Sequence, residues 1–93
     1  MPIRSFKCAD TQCLFGGKRV KRFMNIESVA MRKLAMLNRV GRLDDLRVPP
    51  GNQLEALKGD RAGQHSIRIN DRFRVCFVWT TEGPKGVEIV DYH

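Results

Sequence analysis

Eight side chains in the second half of the chain could hold an anion or move a proton: Glu55, Lys58, His65, Arg68, Arg74, Asp91, Tyr92 and His93. Arg74 is the most informative of them. It interrupts the otherwise apolar run Phe73-Arg74-Val75-Cys76-Phe77-Val78-Trp79. A charge in such a run is costly unless it is paired or opens onto a groove. Two readings follow. Arg74 is either a structural ion pair with Asp91 or Glu55, or a groove-facing cation whose planar fork suits phosphate oxygens. The ending Asp91-Tyr92-His93 follows directly from an apolar strand, so it is expected to be held rather than frayed. An imidazole there, with its ordinary pKa near neutrality, suits proton transfer; the plainer reading of His93 is an exposed terminal residue.

Other chemistries find no support in the residue pattern. No glycine-rich loop has phosphate-cradling spacing, and no Gly-x-Ser-x-Gly elbow occurs. Cys8 and Cys13 have no second close pair of Cys or His ligands, so neither a metal nor another cofactor is expected. Three cysteines cannot all pair with one another, and reduced thiols are expected.

The charge points to a polyanionic partner. The chain has 93 residues, with 17 Lys and Arg against 10 Asp and Glu, a net of +7. Residues 1–48 hold 11 basic and 4 acidic side chains, so the whole excess lies there. Its densest part is Lys18-Arg19-Val20-Lys21-Arg22. With Arg68, these side chains are candidates for nucleic-acid binding; a solvated helical face is the alternative. The hydrophobic share of 42% excludes wholesale disorder. No apolar run approaches the roughly 20 residues of a membrane helix, and the first residues lack a signal-peptide core. One cytoplasmic domain spanning residues 1–93 is expected.

The elements that must position these residues divide the chain in two. Ile3 and Phe6 suggest a short strand. Asp10 or Thr11 could cap a short helix ending near Gly16-Gly17. The clearest helix runs from Asn25, as N-cap, to Val40, with Ile26, Val29, Ala30, Leu34, Leu37 and Val40 at helical spacing and Gly41 as a left-handed terminator. Arg47-Val48-Pro49-Pro50-Gly51-Asn52 reads as an ordered loop. Beyond it the period becomes two. Strands are expected over 54–58, 65–69, 73–79 and 87–90, with turns between them. The third is apolar on both faces and should be central. Helices first and a strand meander after give an α+β fold, with N-terminal helices packed on one face of a small, mostly antiparallel sheet.

Over nearly its whole length the chain resembles the HigB killer toxins, within the RelE-like ribosome-dependent messenger-RNA nucleases. The resemblance opens at Ile3-Arg4-Ser5-Phe6 and runs through Val29-Ala30-Met31-Arg32-Lys33-Leu34 and 45–52. It is most specific in Leu54-Glu55-Ala56-Leu57-Lys58-Gly59-Asp60, continuing to Asn70, and in Val87-Glu88-Ile89-Val90-Asp91-Tyr92-His93. It implies a RelE-like fold and cleavage of messenger RNA in the A site of the 70S ribosome. It also implies a HigA-like helix-turn-helix antitoxin, through which operator DNA is bound. The family's basic pair falls on Lys58 and Arg74, and its C-terminal functional trio on Asp91, Tyr92 and His93. The chain departs from the pattern at Glu55, where some HigB toxins carry an active-site histidine, and at Phe73, where many carry tryptophan.

On these residues RNA cleavage needs no metal. The ribose 2′-hydroxyl attacks the adjacent phosphate, Lys58 and Arg74 stabilise the phosphorane charge, and His93 moves a proton. Glu55 is the base if a low-dielectric site raises its pKa. Tyr92 stacks on a base or hydrogen-bonds the backbone, and Asp91 orients His93 or pairs with Arg74. In regular strands Glu55 and Lys58 would lie on opposite faces, and Tyr92 opposite Asp91 and His93, so a common site requires the strand ends to twist or break. The competing readings are a non-catalytic ribosome- or RNA-binding translation regulator and a domain that docks an acidic protein.

Overall fold

The computed structural model describes residues 2–91. Helix α1 spans Ala9–Phe15 and helix α2 Glu27–Arg39. Strands β1 (Glu55–Ala56), β2 (His65–Arg68), β3 (Phe73–Thr80) and β4 (Gly83–Asp91) follow. They form one antiparallel sheet in chain order, so β3 is interior, as its two apolar faces require. The Ile3–Phe6 segment contributes a single parallel bridge, Phe6 to Val87, with Arg4 and Lys7 donating to the carbonyls of Pro84 and Val87.

Side chains of residues paired across strands point to the same face, so the register sorts the sheet. Ile67, Val75, Phe77 and Ile89 turn toward the helices and are buried. There they meet Leu14 of α1, Phe23, and Ile26, Ala30, Leu34 and Leu37, the stripe of α2. Glu55, Ser66, Arg68, Arg74, Cys76 and Glu88 turn to the opposite face. One extra residue in β4, opposite the step from Cys76 to Val78, breaks the register. Gly86 lies at this bulge with φ 60°, a conformation glycine takes without a Cβ penalty. Val87 is thereby kept in the core with Ile89.

Several boundaries differ from the sequence expectation. Asn25 is not an N-cap: a 3₁₀ segment, Lys21–Ile26, runs straight into α2, and Ile26 precedes the helix without a side-chain cap. Burial of Phe23 and Ile26 against the sheet outweighs the capping preference. Nor does Gly41 end α2. Val40 leaves helical geometry first (φ −66°, ψ 146°), its N–H still donating to the Met36 carbonyl. Cys8, not Asp10 or Thr11, stands before α1. The loop over 47–52 follows a 3₁₀ turn, Leu43–Arg47, and contains another, Pro50–Asn52, after a cis Val48–Pro49 bond. The alternation over 54–58 gives only the two residues of β1; one bond more in the same register, from the Leu57 N–H to the Gln64 carbonyl, closes the pairing before the 3₁₀ turn Gly59–Arg61. β4 starts four residues earlier than expected, since only Thr81 and Glu82 are needed to turn the chain.

Thr11 has a different use. Its side chain is fully buried and its hydroxyl accepts the Ile89 N–H at 3.0 Å, bolting α1 to β4 inside the core. Thr11→Val keeps the shape but strands that N–H, and should cost about 1–3 kcal/mol in urea unfolding, while Thr11→Ser keeps most of the stability. A Thr11→Val variant as stable as the parent would remove the bolt from this account.

Candidate functional site on the open face of the sheet

Arg74 sits on the face turned away from the helices, with its side chain only 12% exposed. Its Nε donates to Ser66 Oγ at 2.7 Å, diagonally across β2 and β3. One Nη2 proton goes to the Gln53 carbonyl at 2.6 Å, and a longer contact of 3.4 Å reaches the Ser66 carbonyl. The carboxylate of Glu55 stands 3.8 Å from Nε. The guanidinium is thus satisfied along one edge, and its Nη1 group has no hydrogen-bond partner among the described residues. Both sequence readings of Arg74 have something in them. It is held by a structural network, yet one corner of the fork remains for a ligand.

A second charged pair, which the sequence reading missed, flanks the first. Arg61 donates to Glu88 Oε1 at 2.8 Å and to Gln64 Oε1 at 3.2 Å. Lys7 approaches the same Glu88 oxygen at 3.9 Å. The pattern held one usable signal: Glu88 faces out between the buried Val87 and Ile89, on the face of Arg74. Between the pairs lies Cys76, fully buried. Burial pushes its thiol pKa up, and the charges of Arg61, Glu88, Arg74 and Glu55 partly cancel in their effect on it.

The remaining expected residues are placed as follows. Glu55 is on the Arg74 face but its side chain is 55% exposed, so the apolar burial that a base role needs is not provided by the described residues. Lys58 has left the strand: it precedes the 3₁₀ turn Gly59–Arg61, exposed, with no side-chain hydrogen bond or ion pair among the described residues. The strand-face objection to joining Glu55 and Lys58 therefore falls away, because β1 ends at Ala56. Arg68 is opposite Arg74 in the β2–β3 register and is paired with Asp71. Two cations directly opposed would repel, and each is held by a separate acceptor set.

Asp91 is a correction. It pairs with Phe73, on the helix side of the sheet, and its carboxylate binds the Arg72 guanidinium through Nε and Nη2, with contacts of 2.8–3.1 Å. The register separates it from Arg74, so the expected Asp91–Arg74 pair does not form. Tyr92 and His93, expected as functional residues, lie outside the described residues. His65, also on the helix side, stacks on Phe77, and its Nδ1 is buried without a hydrogen-bond partner among the described residues.

The basic cluster lies on the helix side. Lys18, Arg19 and Lys21 are exposed. Arg22 is anchored: it bonds Asp10 Oδ2 at 2.8 Å and Cys8 Sγ at 3.3 Å, and lies over the Phe23 ring at 4.4 Å. Phe23 meets Phe73 edge-on at 6.4 Å, and Arg72 lies over Phe73 at 5.6 Å. A cation–aromatic chain thus joins the cluster to the Asp91 end of the sheet. A cleft of about 540 Å³ is lined by Gly41, Arg42, Leu43, Asp44, Trp79 and Thr81. It lies toward the other end of β3, roughly 17 Å along the strand from Arg74, and contains none of the expected site residues. No group of three or more His, Cys, Asp or Glu among the described residues could hold a metal ion. No helix among them is long and apolar enough to cross a membrane.

Two helices laid on one face of a four-stranded antiparallel meander are also the arrangement of the YoeB/ParE toxin from Agrobacterium tumefaciens. The structures align over 100% of this chain and 99% of that one, with a TM-score of 0.52 and 19% identity. That likeness defines the fold. Residues 14–93 match the model of the HigB-like toxin family, described as RelE-like toxins of the type II toxin–antitoxin system HigB. The chain belongs to this family. It is 44% identical over 55 residues to Toxin HigB-1 of Vibrio cholerae, and 35% identical over 63 residues to an uncharacterized protein of Haemophilus influenzae. These matches span 59% and 68% of this chain, and 58% and 62% of the respective relatives.

The thiols give this geometry a direct test. For Cys8, burial alone would raise the pKa, but the donors of Thr11 and Asp10 and the charge of Arg22 outweigh it and lower the value. The thiolate therefore forms at lower pH than in an ordinary cysteine. In native protein, Cys8 should alkylate with iodoacetamide at lower pH than free cysteine does. Cys76 should stay unmodified until the protein is unfolded. Peptide mass spectrometry across a pH series reads both; Cys76 labelling as fast as Cys8 would contradict the packed face.

Proposed function

We propose that this protein is the toxin of a type II toxin–antitoxin pair and acts as a ribosome-dependent, metal-independent endoribonuclease on messenger RNA, stopping translation and growth. The observation that carries the reading is Arg74, a guanidinium held along one edge by Ser66 and Gln53, with no hydrogen-bond partner for its Nη1 group among the described residues. Membership of the HigB-like toxin family supports the toxin role; messenger RNA on the ribosome as the target is part of the proposal.

In the proposed reaction the 2′-hydroxyl of the ribose attacks the adjacent phosphorus. The P–O5′ bond breaks, leaving a 2′,3′-cyclic phosphate and a 5′-hydroxyl. Arg74 receives the charge that grows on the phosphorane oxygens, and the exposed Lys58 adds a second cation. His93 donates to the leaving 5′-oxygen, since an imidazole is the group here whose proton moves near neutral pH. Glu55, exposed beside Arg74, is the carboxylate available to accept the 2′-proton. Asp91, engaged with Arg72, anchors the end of β4 from which Tyr92 and His93 continue, and Tyr92 stacks on a base. So few groups gain much from a substrate already positioned, which the ribosomal A site provides.

The exposed cations Lys18, Arg19 and Lys21, with the anchored Arg22, attract ribosomal RNA and an acidic HigA-like antitoxin. Operator DNA is reached through the antitoxin. This division places affinity on the helices and chemistry on the sheet, in the cytoplasm where translating ribosomes are.

The test is to add the protein to translating ribosomes and map messenger-RNA ends. Cuts within codons, with 5′-hydroxyl ends, are expected. Arg74→Ala should fall by about 10²–10³-fold while circular dichroism shows a folded chain. Stalling without cuts would instead favour a non-catalytic ribosome-binding regulator, and 5′-phosphate ends would mean attack by water.

A further inference from the structure

Gln53 is the only non-glycine residue with positive φ among the described residues (φ 45°, ψ 54°). Such a conformation persists where the surroundings over-determine it. The surroundings here are those of Asn52, whose side chain is fully buried. Its amide nitrogen donates to the Leu46 carbonyl at 3.0 Å and to Met36 Sδ at 3.1 Å, and its Oδ1 accepts from the Lys33 ammonium of α2. Its own N–H bonds the Pro49 carbonyl at 2.9 Å, and that of Gln53 bonds the Pro50 carbonyl at 3.0 Å. The turn so fixed aims the Gln53 carbonyl at Arg74 Nη2, 2.6 Å away. A buried polar side chain is retained at a cost, and the asparagine amide meets it by donating through Nδ2 and accepting through Oδ1.

We propose that Asn52 is a positioning residue for Arg74: it touches no exposed atom of the site, and it locks the left-handed turn at Gln53 whose carbonyl, with Ser66, aims the guanidinium. The proposal rests on the reading of Arg74 as the phosphate-binding cation. Two corners of the fork are pinned, at Nε and Nη2, so the direction of Nη1 is determined. Losing the turn frees one corner and lets the fork swing about the Ser66 contact, which costs orientation rather than charge.

The experiment uses the full chain in single-turnover cleavage on programmed ribosomes. Asn52→Ala should lower the saturating rate tenfold or more and leave the half-saturating concentration unchanged. In an Arg74→Ala background the same substitution should lower the rate no further, because its effect passes through Arg74. An equal fall in both backgrounds, or a changed half-saturation with an unchanged rate, would overturn the proposal. Lys33→Met, which removes one donor to Asn52 from the edge of the core, serves if Asn52→Ala does not fold, and should show the same pattern at smaller size. Independently of activity, hydrogen exchange of the Arg74 Nη2 protons, one of which the Gln53 carbonyl holds, followed by NMR, should quicken at least tenfold in Asn52→Ala and by less in Lys33→Met. Unchanged exchange would also overturn the proposal. A parent chain that does not cleave sinks the nuclease reading alone, and the exchange measurement then decides the role of Asn52 by itself.

Discussion

A guanidinium near the start of an interior strand must find acceptors on the sheet itself, because the helices cover only the other face. Arg74 is 12% exposed, and its neighbours Val75 and Cys76 are fully buried. Desolvating such a charge costs several kcal/mol unless its protons are matched. Much of the local structure can be read as the matching. Ser66 is fully buried on β2 at the diagonal position, where its hydroxyl meets Nε. The chain before β1 leaves ordinary backbone geometry at Gln53 and presents a carbonyl to Nη2. β1 stops after two residues, which sets Glu55 beside Arg74 and releases Lys58 into the next turn. The core, by contrast, is ordinary: a helix stripe and one sheet face, bolted by Thr11.

The two faces of the sheet divide the labour of the charges. The excess cations of residues 1–48 lie with the helices, outside the hydrophobic core, and Arg22 links them through Phe23 and Phe73 to the Arg72–Asp91 pair. The other face carries pairs in balance, Arg74 with Glu55 and Arg61 with Glu88. Long-range attraction to a polyanion therefore comes from one side, and local orientation of a single fork from the other. A surface that attracts by net charge is salt-sensitive. A half-buried, hydrogen-bonded fork is screened much less.

What the sequence made legible follows from where physical periods are strong. The α2 stripe Ile26, Ala30, Leu34 and Leu37 and the two-sided apolar run of β3 set the architecture and the interior place of β3. Arg74 stood out because a cation in that run has few cheap explanations. What was not legible depended on register and on loops. Asp91 and Glu55 were the two partners considered for Arg74; Glu55 is the one beside it, while the pairing of Phe73 with Asp91 puts Asp91 across the sheet, and alternation within one strand cannot give register between two. Glu88 and Arg61 pair across 27 positions, a separation with no local signal. Asn25 and Gly41 had the residue types of a cap and a terminator, yet burial of Ile26 and the extended turn at Val40 decided the helix ends. Asn52 lay in a loop read only as ordered, and a buried asparagine leaves no periodic mark.

The central claim is that the pinned face of Arg74, rather than the basic helices, meets the scissile phosphate. The most direct measurement is an electron cryomicroscopy structure of the protein on a ribosome stalled with a 2′-deoxy codon in the A site, which cannot be cut. The account predicts the scissile phosphate within hydrogen-bond reach of Arg74 Nη1, with Lys18, Arg19 and Lys21 against ribosomal RNA. A complex in which the sheet face carrying Arg74 and Glu55 looks into solvent, with messenger RNA lying on the helices, would contradict it.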